Sequence, residues 1–183
     1  MRPKTIKPKC YVFDFDDCLV KTTGKIYIYK NNKQIKSITP AEFNTYKKKK
    51  GETYDTRDFR DPRIILAAEP YKMWGMLEGT YKKNEVNGGD SIFYILTARS
   101  PASQSPIQTL LKRNGIFIPL DRIITIGNDE GMEIDTASDK KSVLTALSQM
   151  YEVYFFDDSQ DNIKLAGKIP GIRTKLVDWY ENQ

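Results

Sequence analysis

Residues 10–17 read CYVFDFDD, a short apolar run that stops at three aspartates. An apolar run of this length, closed by polar residues, reads as a buried strand, here Cys10 to Phe15. Alternation along such a strand places Asp14 and Asp16 on the same side of its end. The pattern returns at residues 152–158, EVYFFDD, with Asp161 and Asn162 following. A third apolar run, Ser91 to Leu96 (SIFYIL), ends in Thr97-Ala98-Arg99. Arg122 to Ile126 and Gly171 to Val177 read as two further strands.

Between these runs the period changes from two to that of a helix. Met73, Trp74, Leu77 and Tyr81 share one face of a helix predicted over 70–81. Ile107, Leu110 and Leu111 mark a second, stopped by Asn114-Gly115. Val143, Leu144 and Leu147 mark a third that begins near Ser138-Asp139, and Ile163 and Ala166 a fourth that ends at Gly167. From residue 70 onward, helix and strand therefore alternate. That order predicts an α/β fold, a mostly parallel sheet flanked by helices. Ligand sites in such sheets lie beyond the carboxyl ends of the strands. The acidic pairs and Thr97 all fall there.

The segment after the first acidic turn is different. Lys25–Lys30 and Lys33–Ile38 are β-like runs around Asn31-Asn32, which predicts a hairpin. Thr39-Pro40 opens a short helix, with threonine as cap and proline at its first position. Glu52 to Asp61 reads as loop.

Composition sets the outer bounds. At 183 residues, 39% hydrophobic and 29% charged, the chain reads as one globular domain over 1–183. No apolar run approaches the ~20 residues of a membrane span. Met1 to Lys9 is basic and lacks the apolar core of a signal peptide, so a cytoplasmic protein is expected. Cys10 and Cys18 flank one strand and lie too far apart to bridge. Histidine is absent, which excludes Ser-His-Asp and Cys-His catalysis and any histidine-ligated metal. The net charge of +5 mildly favours anionic partners.

Acid–base work must then fall to carboxylates, lysine, tyrosine or cysteine. Two strands of one parallel sheet that end in Asp14/Asp16 and Asp157/Asp158 gather like charges, which costs folding energy unless a cation joins them. Mg²⁺ is the expected cofactor. Thr97, at a strand end before a helix, can offer its hydroxyl and nearby N–H groups to a phosphate. Lys140 or Lys141, early in the third helix, can neutralise phosphate and the acidic cluster together.

Taken in this order, the segments resemble the motifs of the haloacid-dehalogenase-like (HAD) superfamily. VFDFDDCLV is similar to its first motif, YILTAR to its second, SDKKSVL to its third and YFFDDSQDNI to its fourth. The resemblance runs from about residue 10 to 177. It implies a Rossmann-like core and a Mg²⁺-dependent phosphomonoesterase in which Asp14 attacks phosphorus and forms an aspartyl-phosphate. Asp16 would protonate the leaving oxygen and then activate water. Thr97 would hold a phosphoryl oxygen, with Ala98 and Arg99 beside it in the substrate site. Lys140 would steady the intermediate, with Lys141 as competitor. Mg²⁺ would be held by Asp14, the main-chain carbonyl of Asp16, and Asp158, with Asp157 in support; the last two can exchange roles. An acid at position 16 favours phosphatase or phosphotransferase over dehalogenases and over ATPases with a long-lived phospho-aspartate. Asp17 and Cys18 depart from the usual Gly and Thr.

Members of this superfamily often carry a cap domain. Here the insert of about 22–60 has room only for a small β-hairpin flap and no large cap. An open site would admit a small metabolite, a nucleotide or a nucleic-acid end. Lys25, Tyr27, Tyr29, Lys30, Lys33, Lys36 and Lys47–Lys50 would form its basic, aromatic rim. The alternatives are a phosphotransferase, or a catalytically silent module that binds Mg²⁺ or nucleic acid.

Overall fold

The computed structural model describes residues 7–43, 45–128 and 136–177. The first six residues, most of the basic start of the chain, lie outside that set. Among the described residues ten strands and six α-helices form in chain order. The strands are β1 (Lys9–Phe13), β2 (Val20–Lys21), β3 (Ile26–Lys30), β4 (Lys33–Ile38), β5 (Glu52–Asp55), β6 (Glu69–Pro70), β7 (Ile92–Thr97), β8 (Ile123–Thr125), β9 (Glu152–Asp157) and β10 (Ile172–Leu176). The helices are α1 (Pro40–Phe43), α2 (Pro62–Leu66), α3 (Trp74–Val86), α4 (Gln104–Arg113), α5 (Thr136–Met150) and α6 (Gln160–Ala166).

The five expected core strands become one parallel sheet in the order β10-β9-β1-β7-β8. Strand β1 is central and buried on both faces, which explains its unbroken apolar sequence. Cys10 and Val12 pack with Leu144, Leu147 and Ala166 of α5 and α6. Phe13 packs on the other face with Leu77 and Tyr81 of α3 and with Ile107 and Leu111 of α4. Its ring stacks on Phe156 across the β1–β9 pair at 4.8 Å. The chain runs from β1 outward to β7 and β8, then crosses to β9 and β10 on the other side. The strand order thus reverses between β1 and β9, and the crevice at such a switch point is where α/β sheets bind ligands. This is the expected Rossmann-like architecture. Both cysteines are buried and unbridged, as the spacing predicts.

Two local expectations are corrected. Strand β1 stops at Phe13, so alternation does not set the relation of Asp14 to Asp16. A tight turn does: Asp17 N–H donates to Val20 O (2.8 Å), Val20 N–H donates to Phe15 O (3.0 Å), and Asp17 takes a φ of 57°. The segment from Glu52 is also not loop. It forms β5, antiparallel to β3, and then a 3-10 turn over Arg57–Arg60. The flap is therefore a three-stranded sheet, β4-β3-β5, rather than a bare hairpin. Its small core of Ile26, Ile28 and Ile38 is covered by Phe43, Tyr46, Tyr54 and Phe59. A strand as short as β5 is stabilised by that distant pairing, which no local pattern reveals.

The hairpin itself follows the sequence. Asn31 and Asn32 both take positive φ, 51° and 59°, as the favoured two-residue turn requires. Thr39 and Glu42 close a capping box on α1: Glu42 N–H donates to Thr39 Oγ1 (3.3 Å) and Thr39 N–H to Glu42 Oε2 (2.8 Å). The β2–β6 ladder ties together the points where the chain leaves and re-enters the core. Helix α3 begins at Trp74, because Glu69-Pro70 belongs to that ladder. Among the described residues no large cap domain covers the sheet, and no helix is long and apolar enough to cross a membrane.

Candidate active site

Asp14, one residue beyond β1, is held against β9 by its own N–H, which donates to Phe156 O (2.9 Å). Its carboxylate meets Lys140. The lysine Nζ donates to Asp14 Oδ1 at 2.5 Å and to Asp157 Oδ2 at 2.7 Å. Lys140 lies on the helix face of Leu144 and Leu147, four and seven residues on, and is only 2% exposed. Lys141 stands a third of a turn away and no ion pair joins it to this cluster among the described residues. Of the two candidate lysines, α5 turns Lys140 inward.

The two aspartates after β9 differ. Asp157 is fully buried, and protein donors occupy both of its oxygens: Lys140, the Asn162 amide (3.0 Å to each) and Ser159 N–H (2.8 Å). Asp158 lines the cavity. Burial pushes the Asp158 carboxyl up to about 7, with Asp157 and Asp17 adding repulsion and Lys140 opposing. Burial likewise raises Asp14, opposed by Lys140 and aided by Asp157 and Asp158. Burial works against the Lys140 charge, yet Asp14 and Asp157 outweigh it and hold the ammonium above its ordinary value. Cys18, whose thiol donates to Phe156 O, is pushed well up by burial and by the same aspartates, and so is an unreactive packing residue.

Asp16 faces the other wall. Arg99 Nε and Nη2 grip its two oxygens, each at 2.7 Å, and Thr22 donates to Oδ1 at 3.2 Å. The third arm of the guanidinium donates to Phe59 O (2.8 Å), which also accepts from Ser103 Oγ (2.9 Å). The guanidinium carbon lies over the rings of Phe15 and Phe59, at 5.5 and 4.8 Å from their centroids. Arg99, expected in the substrate site, thus lines the cavity with its donors committed to Asp16 and the flap. Thr97 is buried and its Oγ1 accepts from Arg99 N–H (3.2 Å), while Ala98 is exposed at the cavity wall.

Sequence reasoning missed Gly127. Its N–H donates to Arg99 O (3.0 Å), and a Cβ there would stand 2.2 Å from Ala98 O and 2.8 Å from Arg99 C. A glycine just after the third core strand was the available signal of close backbone approach. Gly127→Ala should displace the Thr97–Arg99 loop, lowering stability by roughly 1–3 kcal/mol. Thermal melting checks this.

The cavity has a volume of about 520 Å³. Asp14, Asp16, Thr97, Lys140 and Asp158 line its floor, and flap residues including Phe43, Tyr54, Phe59 and Arg60 form the opposite wall. No three His, Cys, Asp or Glu side chains among the described residues form a ready-made metal cage. The donor set fits Mg²⁺, which prefers oxygen and keeps several waters, so that few carboxylates suffice. Asp14, raised by burial and by Asp157 and Asp158, and Asp158, raised by burial and by Asp157 and Asp17, are the pair that a divalent cation would relieve.

No protein-family model matches this sequence, and no curated protein matches it. Among solved structures, a chain of the Pnkp1/Rnl/Hen1 RNA repair complex aligns with a TM-score of 0.60 at 13% identity, over 97% of this chain and 44% of that chain. A second Pnkp1/Rnl/Hen1 structure gives 0.57 at 14%, over 95% and 47%. The HAD domain of the Legionella pneumophila effector protein Lem4, an inactive mutant, gives 0.46 at 12%, over 93% and 85%. The likeness to the RNA repair chains is one of fold, and this chain spans less than half their length.

Proposed function

We propose that the chain is a HAD-type phosphomonoesterase that works through an aspartyl-phosphate on Asp14. The observation that carries this reading is the buried Lys140 bridge between Asp14 and Asp157 at the switch point, with Asp16 held across the same cavity. A bare structural salt bridge does not need a second carboxylate fixed opposite and a cavity between them.

Asp14 attacks phosphorus, and the bond to the leaving oxygen breaks as the new P–O bond forms. Asp16 donates a proton to the leaving oxygen and later takes one from the attacking water. The Arg99 fork occupies both Asp16 oxygens, so proton donation requires one oxygen to leave the fork. Thr97 positions a phosphoryl oxygen, and Lys140 offsets its charge. Mg²⁺, held by Asp14, Asp158 and the Asp16 main-chain carbonyl, supplies further charge neutralisation when bound. Asp157 fixes Lys140. A phosphotransferase shares the first half-reaction, with an alcohol in place of water. The substrate is a phosphorylated small metabolite, nucleotide or nucleic-acid end, and the shared fold of the RNA repair chains supports the last.

The test is hydrolysis of a generic aryl phosphate with Mg²⁺ and with chelator. Turnover that stops on chelation is expected; turnover indifferent to it would sink the metal reading. Thermal melting gives a second readout. Mg²⁺ a hundredfold above its Kd should add about 2.7 kcal/mol to stability. Asp158→Asn should stabilise the metal-free protein, by removing repulsion, and abolish that increment.

A further inference from the structure

The positive charge of this chain is not spread evenly. The flap segment 22–60 carries ten Lys and Arg against four Asp and Glu, a surplus of six. The whole chain has a surplus of five, so the remainder is slightly acidic. The core therefore gathers negative charge at its site, and the flap segment above it, mostly through residues outside its strands such as Lys47–Lys50, Arg57 and Arg60, carries all the excess positive charge. Mere solubility does not call for that partition.

The flap also supplies the aromatic wall of the cavity. Phe43 and Tyr54 meet edge to face at 5.1 Å, and Phe59 lies beyond them on Arg99; all three are half-buried and line the space above the catalytic carboxylates. A cavity of about 520 Å³ is far larger than a phosphoryl group and falls in the range of nucleoside-sized ligands. Lys48 and Arg60 line it, and Lys48, whose Nζ stands 5.2 Å from the Tyr54 ring centroid, belongs to the exposed Lys47–Lys50 run.

We propose that the flap is a binding surface for single-stranded nucleic acid. The terminal nucleoside sits against Phe43, Tyr54 and Phe59, its phosphate faces Asp14, and the following phosphodiesters run along Lys47–Lys50. Stacking on aromatics with a basic track beside them is the chemistry of strand binding without sequence readout. A lone phosphometabolite would leave the lysine run unused. A phosphopeptide offers no regular ladder of charge to match it. The assignment rests on Asp14 being the phosphatase centre, and it deepens that reading.

The experiment compares kcat/KM for a ten-nucleotide single strand with a terminal phosphate (the 3′ or 5′ isomer, whichever is faster) against a nucleoside monophosphate, a phosphoserine decapeptide and an aryl phosphate. The strand should exceed the nucleoside monophosphate by at least about tenfold. Its log kcat/KM should fall steeply with log salt, by roughly 0.7 per phosphate contacted. Changing Lys47–Lys50 to Gln, all on the surface, should flatten that slope by about 2 to 3 and erase the preference over aryl phosphate. Tyr54→Ala should cut strand turnover about tenfold. Binding of the same strand to Asp14→Asn, measured by fluorescence anisotropy, separates the two readings. Salt-sensitive binding lost in the lysine variant supports the flap even if aryl phosphate is not hydrolysed. Aryl phosphatase activity without strand preference, with a preference for the phosphopeptide, or with a preference that survives the lysine change overturns the flap assignment alone.

Discussion

Asp14→Asn should remove phosphatase turnover by about 10⁴-fold or more, the scale on which deletion of a covalent nucleophile acts, while leaving a folded protein. The amide keeps the shape of the side chain and can still accept from Lys140, but it cannot form the acyl-phosphate bond. Folding should survive because Asp157 stays paired with the Lys140 ammonium at 2.7 Å and remains fixed by Asn162 and Ser159. The repulsion that burial imposes among Asp14, Asp157 and Asp158 also falls by one charge. The melting temperature should therefore stay within a few degrees of the parent. Phosphate transferred to protein from a labelled substrate, trapped by acid quench, should appear in the parent and vanish in the variant. Activity retained in Asp14→Asn would place the nucleophile elsewhere.

The folding pattern was legible because it rests on local signals. An apolar run closed by acid at residues 10–17 and again at 152–158, with helical periods between, is enough to specify a parallel sheet and its functional edge. The Asn31-Asn32 turn and the Thr39 cap were legible for the same reason. What escaped was non-local. Strand β5 forms because Glu52–Asp55 finds β3 across a gap of more than twenty residues. Arg99 lies on the expected motif, but its grip on Asp16 depends on the flap, whose Phe59 carbonyl takes the third arm of the guanidinium. Gly127 matters through the backbone of a different strand end. The choice between Asp157 and Asp158 was likewise open in sequence, since adjacent residues of one type carry no directional label. Only the strand end, with Asn162 and Ser159 folding back on Asp157, distinguishes them.

Lys140→Met should be the most damaging single change to the fold itself. It removes the only cation that pairs with both Asp14 and Asp157 among the described residues, and leaves two buried carboxylates facing each other. Breaking a buried pair by deleting one partner costs about 3–5 kcal/mol, a large share of the 5–15 kcal/mol that holds a domain together. Lys141→Met, one residue on, should change stability by less than about 0.5 kcal/mol. Chemical denaturation of the two variants side by side reads the difference. The companion change tells a charge effect from a packing one. Adding Asp157→Asn to Lys140→Met takes away one of the stranded charges and should recover part of the lost stability. It should recover no turnover, because the phosphoryl group still lacks its ammonium partner. If the double variant is no more stable than Lys140→Met alone, the loss comes from packing around the buried side chain and not from the stranded charges. If Lys141→Met proves the more harmful, α5 is rotated relative to the sheet and Lys140 is not the residue that faces Asp14.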